Sequence, residues 1–331
     1  MQSLARNIAW KGPSPGSRAD AELQLTISRA LELLQAGDIA AMSAVLEAAA
    51  GLAAVSENGG YVFGLFFFNA GNLDKALEWF DISLALEPAS KQALAGRGIV
   101  LHQLGRPHEA LVAFAELRRH DPADAQAWHM TGVILQGLGR LQEALAAYGS
   151  ALRSNPEHCD ALVNSGVIFD AMGQLEDALK AFDKAAILRS EDATNLFNRG
   201  SVLQRLGRPH EALAAYAAAR QRSASNPEIE VNCGNLLQSL GRFTEALACY
   251  DEALKLRPQY AQAHYNRGLA LQRTRRFDAA LEAYEAAITA KPFGRGPFGS
   301  RVRRRPCQYP RYWLQPAPAR GPKVLASRPT R

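Results

Sequence analysis

Apolar and small residues recur along this chain with a period of about 34 residues, from residue 23 to residue 294. The pattern is clearest between residues 125 and 158, where it is carried by Trp128, Gly132, Leu135, Gly139, Ala144, Tyr148, Ala151 and Pro156. One glycine position, one alanine position and one aromatic position keep this spacing over seven copies. A second glycine position holds glycine in six of these copies and Arg275 in the last, and a degenerate copy with Gly37 precedes them. So regular a pattern predicts a protein built from stacked repeats.

Each repeat is predicted to fold into two helices of about a dozen residues. Positions are counted here from the first residue of a repeat, so that Ala125 is position 1 of repeat four. Glycine at position 15, such as Gly139, is expected to close the first helix with a left-handed backbone. Glycine at position 8 and alanine at position 20 should let the two backbones approach, with an aromatic side chain at position 24 filling the space beside them. Because neither helix buries its apolar stripe alone, the repeats must stack.

The motif W-x2-L-G-x2-Y, followed by A-x3-F and a proline, resembles that of the tetratricopeptide repeat (TPR) family. The resemblance implies an all-α fold, a right-handed α-α superhelix or TPR solenoid of about seven to eight helix-turn-helix repeats. The array is predicted to span residues 23–294. Its boundaries are 23–56 for the degenerate copy and then 57–90, 91–124, 125–158, 159–192, 193–226, 227–260 and 261–294.

Residues 1–22 form a polar N-terminal segment that lacks the apolar stretch of a secretory signal. We therefore expect a cytoplasmic protein. The apolar run in repeat one is too short to cross a bilayer, and it contains Glu47. We expect this run to form the second helix of that repeat.

The charge of the chain is distributed unevenly. Its last forty residues contain ten Lys and Arg, no Asp or Glu, and eight of the seventeen prolines, which leaves 28 basic and 32 acidic residues in the remainder. The formal net charge of +6 therefore comes from the basic, Pro/Arg-rich tail, residues 295–331. A segment of this composition without apolar periodicity is predicted to be disordered.

Two other interpretations of the tail stay open. Its basic residues, interleaved with Tyr309, Tyr312 and Trp313, could contact nucleic acid or an anionic membrane. Alternatively, the reading frame changes after repeat eight, since the composition changes abruptly where a capping helix should begin. In that case the last helix of repeat eight is poorly covered at Leu281, Tyr284 and Ile288.

The sequence gives no sign of catalytic chemistry. The four cysteines have no CxxC spacing, and the seven histidines fall on turns or singly on first helices, so neither a metal site nor a disulfide framework is predicted. There is no phosphate-binding glycine loop, nucleophile elbow or pair of catalytic carboxylates. We expect a protein without enzymatic activity, cofactor, metal or small-molecule substrate.

In the TPR family the first helix of each repeat lines a concave groove, and its positions 2, 5, 6, 9, 12 and 13 usually point inward. Position 6 holds asparagine in four successive repeats, namely Asn164, Asn198, Asn232 and Asn266. Position 12 holds glutamine in four repeats, with Asp170 interrupting the series, namely Gln136, Gln204, Gln238 and Gln272. Amide side chains both donate and accept, so they can bind a peptide backbone of any sequence. Four amides on neighbouring helices would hold about nine to twelve residues of extended peptide.

Two further interpretations concern residues at the groove-facing positions of the first helices. The asparagines could instead hydrogen-bond within their own repeats. A separate surface is the aromatic first helix of repeat two, where Tyr61 and Phe68 fall on positions that usually face the groove. If these rings are exposed, they form a partner patch; otherwise they pack on repeat one.

These patterns predict a non-enzymatic scaffold or adaptor for protein–protein interaction, which binds an extended peptide segment in the concave groove. The asparagine ladder also resembles the TPR half of O-linked N-acetylglucosamine transferases. The alternative function is therefore the substrate-recognition portion of a truncated or frameshifted enzyme of that kind. The expected partner is a protein or an extended peptide, and nucleic acid or an anionic membrane is a possible partner of the tail alone.

Overall fold

The computed structural model describes residues 18–54, 58–189, 192–223 and 225–290. All regular elements within these ranges are helices, seventeen in number. In chain order they are α1 (Arg18–Ala36), α2 (Ile39–Ala48), α3 (Ala50–Ala53), α4 (Gly59–Asn69), α5 (Leu73–Leu86), α6 (Lys91–Gln103), α7 (Pro107–His120), α8 (Ala125–Gly137), α9 (Leu141–Ser154), α10 (Cys159–Ala171), α11 (Leu175–Leu188), α12 (Ala193–Arg205), α13 (Pro209–Arg222), α14 (Pro227–Ser239), α15 (Phe243–Leu256), α16 (Ala261–Arg273) and α17 (Phe277–Ala290).

From α4 onward the helices alternate as the first and second helix of successive repeats. Each second helix packs on its own first helix and on the first helix of the next repeat. First helices of consecutive repeats also contact each other, as α8 does with α10 and α12 with α14. Second helices approach one another less closely within the described ranges. The first helices therefore line the inner side of an all-α solenoid, which confirms the predicted architecture.

The turn inside each repeat has the predicted left-handed backbone. Glycine occupies position 15 with φ between 72° and 78° in seven copies, namely Gly37, Gly71, Gly105, Gly139, Gly173, Gly207 and Gly241. After α8, the N–H of Gly139 donates to the Gln136 carbonyl (3.0 Å) and the N–H of Arg140 to the Leu135 carbonyl (2.9 Å). These bonds satisfy carbonyls that the helix end leaves free. In repeat eight the same position is Arg275, with φ 59°.

The glycine at position 8 has a different role from the one expected. It lies under the aromatic ring at position 24 of its own repeat, and a Cβ atom added at Gly132 would come 2.4 Å from Tyr148 Cε1. In the other six copies the corresponding distance is 2.6 to 2.7 Å, also to ring atoms. The glycine therefore makes room for the ring rather than for the backbone of the second helix. The ring of Tyr148 is completely buried.

Repeat one departs from the expected helix pair. Its first helix, α1, begins at Arg18, inside the segment 1–22 that was expected to precede the array. The apolar run predicted as one second helix is broken at Ala49 into α2 and the short α3. Residues 1–17 lie outside the described residues.

The last described helix leaves apolar side chains in solvent. Phe277, Leu281 and Ile288 on α17 are 62%, 60% and 56% exposed, whereas Leu247, one repeat earlier at the position of Leu281, is half-buried. The sequence-based expectation that α17 is poorly covered at Leu281 and Ile288 is therefore confirmed. Residues 291–331, which contain the predicted tail 295–331, lie outside the described residues.

Candidate functional site

The eight amide residues singled out in the sequence lie on the first helices of repeats four to eight. They share the inner side of the solenoid, and all are half-buried except Gln272, which is exposed. The structure therefore brings them to one face. Their hydrogen bonds, however, divide them into groups with different roles.

Each of the four glutamines is bound to a tyrosine of its own repeat. The tyrosine hydroxyl at position 24 donates to the glutamine Oε1 atom at position 12. The four bonds are Tyr148 to Gln136 (2.8 Å), Tyr216 to Gln204 (3.1 Å), Tyr250 to Gln238 (3.1 Å) and Tyr284 to Gln272 (2.9 Å). Burial raises the pKa of Tyr148, Tyr216 and Tyr250, so these hydroxyls remain donors at neutral pH. The glutamine oxygen is thus engaged within the repeat, and its NH2 group has no hydrogen-bond partner among the described residues.

The sequence contains a signal for this pair that our sequence analysis missed. Tyrosine at position 24 and glutamine at position 12 occur together in four repeats. The three repeats with phenylalanine at position 24 carry a different residue at position 12, namely Phe68, His102 and Asp170. The hydroxyl and its acceptor are therefore present together or absent together. This co-occurrence indicates that the glutamines help to hold the repeat together.

We expect the Tyr216–Gln204 bond to contribute about 1 kcal/mol to the stability of repeat six. Tyr216→Phe and Gln204→Ala should each destabilise the repeat, and the double variant should lose less than the sum by about that amount. Urea denaturation of the four proteins in the cycle measures the coupling. A coupling indistinguishable from zero would show that the bond makes no net contribution.

The four asparagines of position 6 divide into two bonded and two free side chains. Asn164 Nδ2 lies 3.1 Å from His129 Nε2, and Asn266 Nδ2 donates to Asn235 Oδ1 at 2.7 Å. Both partners belong to the preceding repeat. Asn198 and Asn232 make no side-chain hydrogen bond within the described part of the chain, although both are half-buried. Asn164 and Asn266 thus bond across the joint to the preceding repeat, and not within their own repeats as the alternative expected.

Asn235 is a polar residue of the inner face that the sequence analysis did not select. It lies at position 9 of α14, and its Oδ1 atom accepts from the Tyr250 hydroxyl at 2.9 Å as well as from Asn266. It therefore links repeats seven and eight. Position 9 is otherwise mostly aliphatic, as at Val133 and Val167, so the repeat pattern does not reveal it.

His129 fixes Asn164 at the joint between repeats four and five. Its side chain is 8% exposed, and its ring lies 4.8 Å from that of His158 and 5.7 Å from that of Tyr148. The pKa of His129 is lowered to about 4, mainly by burial. The neighbouring His158 also lowers it, and Asp160 partly opposes the shift. The neutral ring accepts from Asn164 at Nε2, which places its proton on Nδ1, an atom with no partner among the described residues.

Asp170, which interrupts the glutamine series, forms an ion pair across the next joint. Arg205 of α12 bonds to its carboxylate and donates to its backbone carbonyl at 3.2 Å. Asp170 is 8% exposed. The pair therefore balances the buried charge and ties repeat five to repeat six on the inner face.

Rings and small aliphatic side chains alternate at position 5 along the inner face. Rings occur in the even-numbered repeats, each packed on the position-24 ring of its own repeat at 5.7 to 6.0 Å, namely Tyr61, His129, Phe197 and Tyr265. The repeats between them carry Ala95, Val163 and Val231. Tyr265 is 52% exposed. These ring platforms lie two repeats apart, a period that we did not recognise from the sequence alone, and His129 is the one of the four that is buried.

The aromatic patch of repeat two is mainly part of the core. Tyr61 and Phe68 are half-buried and pack against the apolar cluster that joins repeats one and two. The Tyr61 ring lies 6.0 Å from that of Phe80, and burial raises the pKa of Tyr61. Packing within repeats one and two therefore accounts for much of this surface.

Neither a metal-binding cluster nor a membrane-spanning helix occurs among the described residues. They contain no group of three or more His, Cys, Asp or Glu side chains placed to hold a metal ion. Within the same ranges, every helix is too short or too polar to cross a membrane. A cleft of about 400 Å³ lies at the joint of repeats four and five and is lined by residues that include Gln126, His158, Asp160 and Arg189.

Stacked helix pairs with a polar inner face define a helical-repeat protein. Models described as "Tetratricopeptide repeat" match residues 61–125, 95–157, 129–193, 166–227 and 261–293, and a "TPR repeat" model matches residues 234–274. The chain therefore belongs to the tetratricopeptide repeat family. Protein–protein interaction is the function that this membership supports.

Similarity to individual proteins is more limited. The photosystem I assembly protein Ycf3 of Acaryochloris marina is 39% identical over 59 residues, which are 18% of this chain and 36% of that protein. The chain thus spans about a third of the length of this curated relative. The structure of the C-terminal part of a TPR protein from Cytophaga hutchinsonii is 14% identical in sequence. The match covers 71% of this chain and 96% of that one, with a TM-score of 0.60. PilF of Pseudomonas aeruginosa is 19% identical in sequence. The match covers 62% of this chain and 94% of PilF, with a TM-score of 0.56. These two likenesses concern the fold.

Proposed function

We propose that this protein is a non-enzymatic scaffold that holds an extended segment of another protein against the inner face of repeats six and seven. The observation that carries the proposal is the pair of free amides, Asn198 and Asn232. Both are half-buried on consecutive first helices and lack hydrogen-bond partners among the described residues. Neither amide has a fully buried polar atom without a partner, so a ligand in the groove can reach both. A peptide backbone can bond to the donor and to the acceptor of each amide.

The surroundings of these amides suit a peptide backbone. Neighbouring first helices lie about 8–10 Å apart, so the two asparagines are spaced by about three residues of an extended chain. Gln204 and Gln238, oriented by their tyrosines, offer NH2 donors about two helical turns further along the same helices. The charges of Asp170 and Arg205 are paired. Backbone recognition with little preference for charged side chains is therefore the chemistry we propose.

The ring platforms add a preference for apolar side chains. Phe197 lies one residue before Asn198 and is half-buried on Tyr216, while Val231 occupies the same position beside Asn232. A peptide held by the two amides would place a side chain over Phe197. The name of the relative Ycf3, an assembly protein, is consistent with a scaffold role.

The glycosyltransferase alternative has less support. The matching family models describe the repeat itself, and none of the relatives named above is a glycosyltransferase. The alternative rests on four equivalent asparagines. Within the described part of the chain only two of them lack a partner, since Asn164 and Asn266 bond to neighbouring side chains.

The test uses two matched double variants of the full chain. A phage library of random twelve-residue peptides is first selected on the unmodified protein, and one selected peptide is synthesised. We expect Asn198→Ala with Asn232→Ala to raise its Kd by about tenfold or more, since two hydrogen bonds are lost. Asn164→Ala with Asn266→Ala should change Kd by no more than about threefold. Circular dichroism verifies that both variants are folded.

A backbone-modified peptide makes the test specific. N-methylation of the amides in the middle of the selected peptide should abolish binding if the asparagines hydrogen-bond to the peptide backbone. The proposal fails if the two double variants weaken binding equally, or if the N-methylated peptide binds as well as the parent peptide.

A further inference from the structure

The two cysteines of repeat seven lie side by side. Cys233, at position 7 of the repeat on α14, packs against the apolar cluster that contains Cys249, at position 23 on α15. The same two positions are in contact in repeat two, where the Phe63 and Trp79 rings have centroids 4.9 Å apart. Side chains at positions 7 and 23 of one repeat can therefore touch. Sixteen residues of sequence separate the two thiols, which is why a search for CxxC spacing does not detect the pair.

The repeat does not require cysteine at either position. Position 23 is Trp79 in repeat two and alanine in five others, namely Ala113, Ala147, Ala181, Ala215 and Ala283. Position 7 varies more widely, with Phe63, Arg97, Thr131, Ser165, Arg199 and Arg267. Within repeats two to eight, cysteine occurs at these positions in repeat seven alone, and there it occupies both. Packing thus explains neither residue, whereas a reaction between the two thiols explains both.

The two thiols have different environments. Cys233 is half-buried, and its contact with Cys249 lowers its pKa, aided by Arg220 and Arg242 and opposed by burial and by Glu230. Cys249 is 6% exposed in a cluster with Leu237 and Tyr250. The contact with Cys233, followed by burial, raises the pKa of Cys249. Cys233 is therefore the accessible nucleophile, and Cys249 is placed to resolve an adduct formed on it.

We propose that Cys233 and Cys249 form a disulfide when the protein meets a small-molecule disulfide such as oxidised glutathione, and that this bond locks α14 to α15. The Cys233 thiolate first attacks one sulfur of the small disulfide, whose S–S bond breaks and releases one thiolate. Cys249 Sγ then attacks Cys233 Sγ and releases the second thiolate. The two cysteine protons end on the two released thiols. The protein is oxidised by two electrons, and the small disulfide is reduced to two thiols.

The bond would restrain the opening of one repeat. It connects the two helices of repeat seven, whose separation is a step in local unfolding of a solenoid. A cross-link that closes a short loop in the unfolded chain stabilises the folded state. We therefore expect hydrogen exchange of the most protected amides in α14 and α15 to slow by about tenfold or more. This effect does not depend on whether the groove binds a peptide.

The experiment treats the full chain with oxidised glutathione and analyses it by mass spectrometry without reduction. We expect a monomer that is lighter by two hydrogen atoms, with one cross-linked peptide that contains Cys233 and Cys249. Cys159 is the internal comparison, since it is 4% exposed, its Sγ atom donates to the Ala185 carbonyl at 3.8 Å, and burial raises its pKa. It should stay reduced.

Two variants separate the proposal from its competitors. Cys249→Ala introduces the residue found at this position in five other repeats and should accumulate a lasting glutathione adduct on Cys233. Cys233→Ser, which has a precedent in Ser165, should leave Cys249 unreacted. The proposal is overturned if the unmodified chain also keeps the adduct on Cys233. It is equally overturned if Cys233 forms dimers, or if both thiols react only after the chain is unfolded.

Discussion

Replacing Gly132 by valine is expected to unfold repeat four locally and to cost about 3 kcal/mol. An added Cβ atom would lie 2.4 Å from Cε1 of the Tyr148 ring, closer than any real contact. The ring cannot move aside, because it is completely buried and its hydroxyl is bound to Gln136. The two helices of the repeat must therefore separate.

The destabilisation caused by Gly132→Val should remain confined to repeat four and its neighbours. Repeats of a solenoid contact only their neighbours, so the free energy of the array is approximately a sum over repeats and joints. Amides of α8 and α9 should exchange with solvent faster by about a hundredfold or more, and those of α14 to α17 should be nearly unaffected. Native-state hydrogen exchange with mass spectrometry measures both groups in one sample.

Gly137→Val is the matched control on the same helix. No atom lies within 4 Å of a Cβ added at Gly137, and its φ is not left-handed. The same substitution there should change stability by less than about 0.5 kcal/mol. If both variants destabilise the protein equally, contact with the Tyr148 ring is not the cause of the effect. A uniform acceleration of exchange throughout the array would contradict the local model.

The backbone of this fold was largely predictable from its sequence. The period of 34 residues located the helix pairs, and glycine at position 15 marked the left-handed turns, because each of these features depends on a few residues close in sequence. Two backbone features differ from the expectation. Arg275 adopts the left-handed turn without being glycine, and the apolar run of repeat one breaks at Ala49, where one continuous helix was expected.

The state of the inner face was harder to predict, because it depends on pairs of side chains in different repeats. Asn164 and Asn198 occupy the same position, but the residue that precedes them by 35 is His129 for one and Val163 for the other. The first can bond to asparagine and the second cannot. The glutamine–tyrosine pairs were predictable in principle, because their co-occurrence is visible once two positions are compared across all repeats.

Acidification should destabilise the joint between repeats four and five through His129. Its pKa is about 4 in the folded protein and about 6.5 in the unfolded chain. The unfolded state therefore binds a proton at a pH where the folded state does not, so stability is lost as the pH falls from about 6.5 to about 4. The expected loss from this residue is about 2 kcal/mol at pH 5 and about 3 kcal/mol at pH 4. Urea denaturation at several pH values measures it.

His129→Val isolates this contribution from those of the other histidines. Valine already occupies position 5 in repeats five and seven, as Val163 and Val231, so the variant copies a joint that the protein itself uses. Between pH 7 and pH 5 it should lose about 2 kcal/mol less than the unmodified protein. Equal losses in the two proteins would rule out His129 as the source.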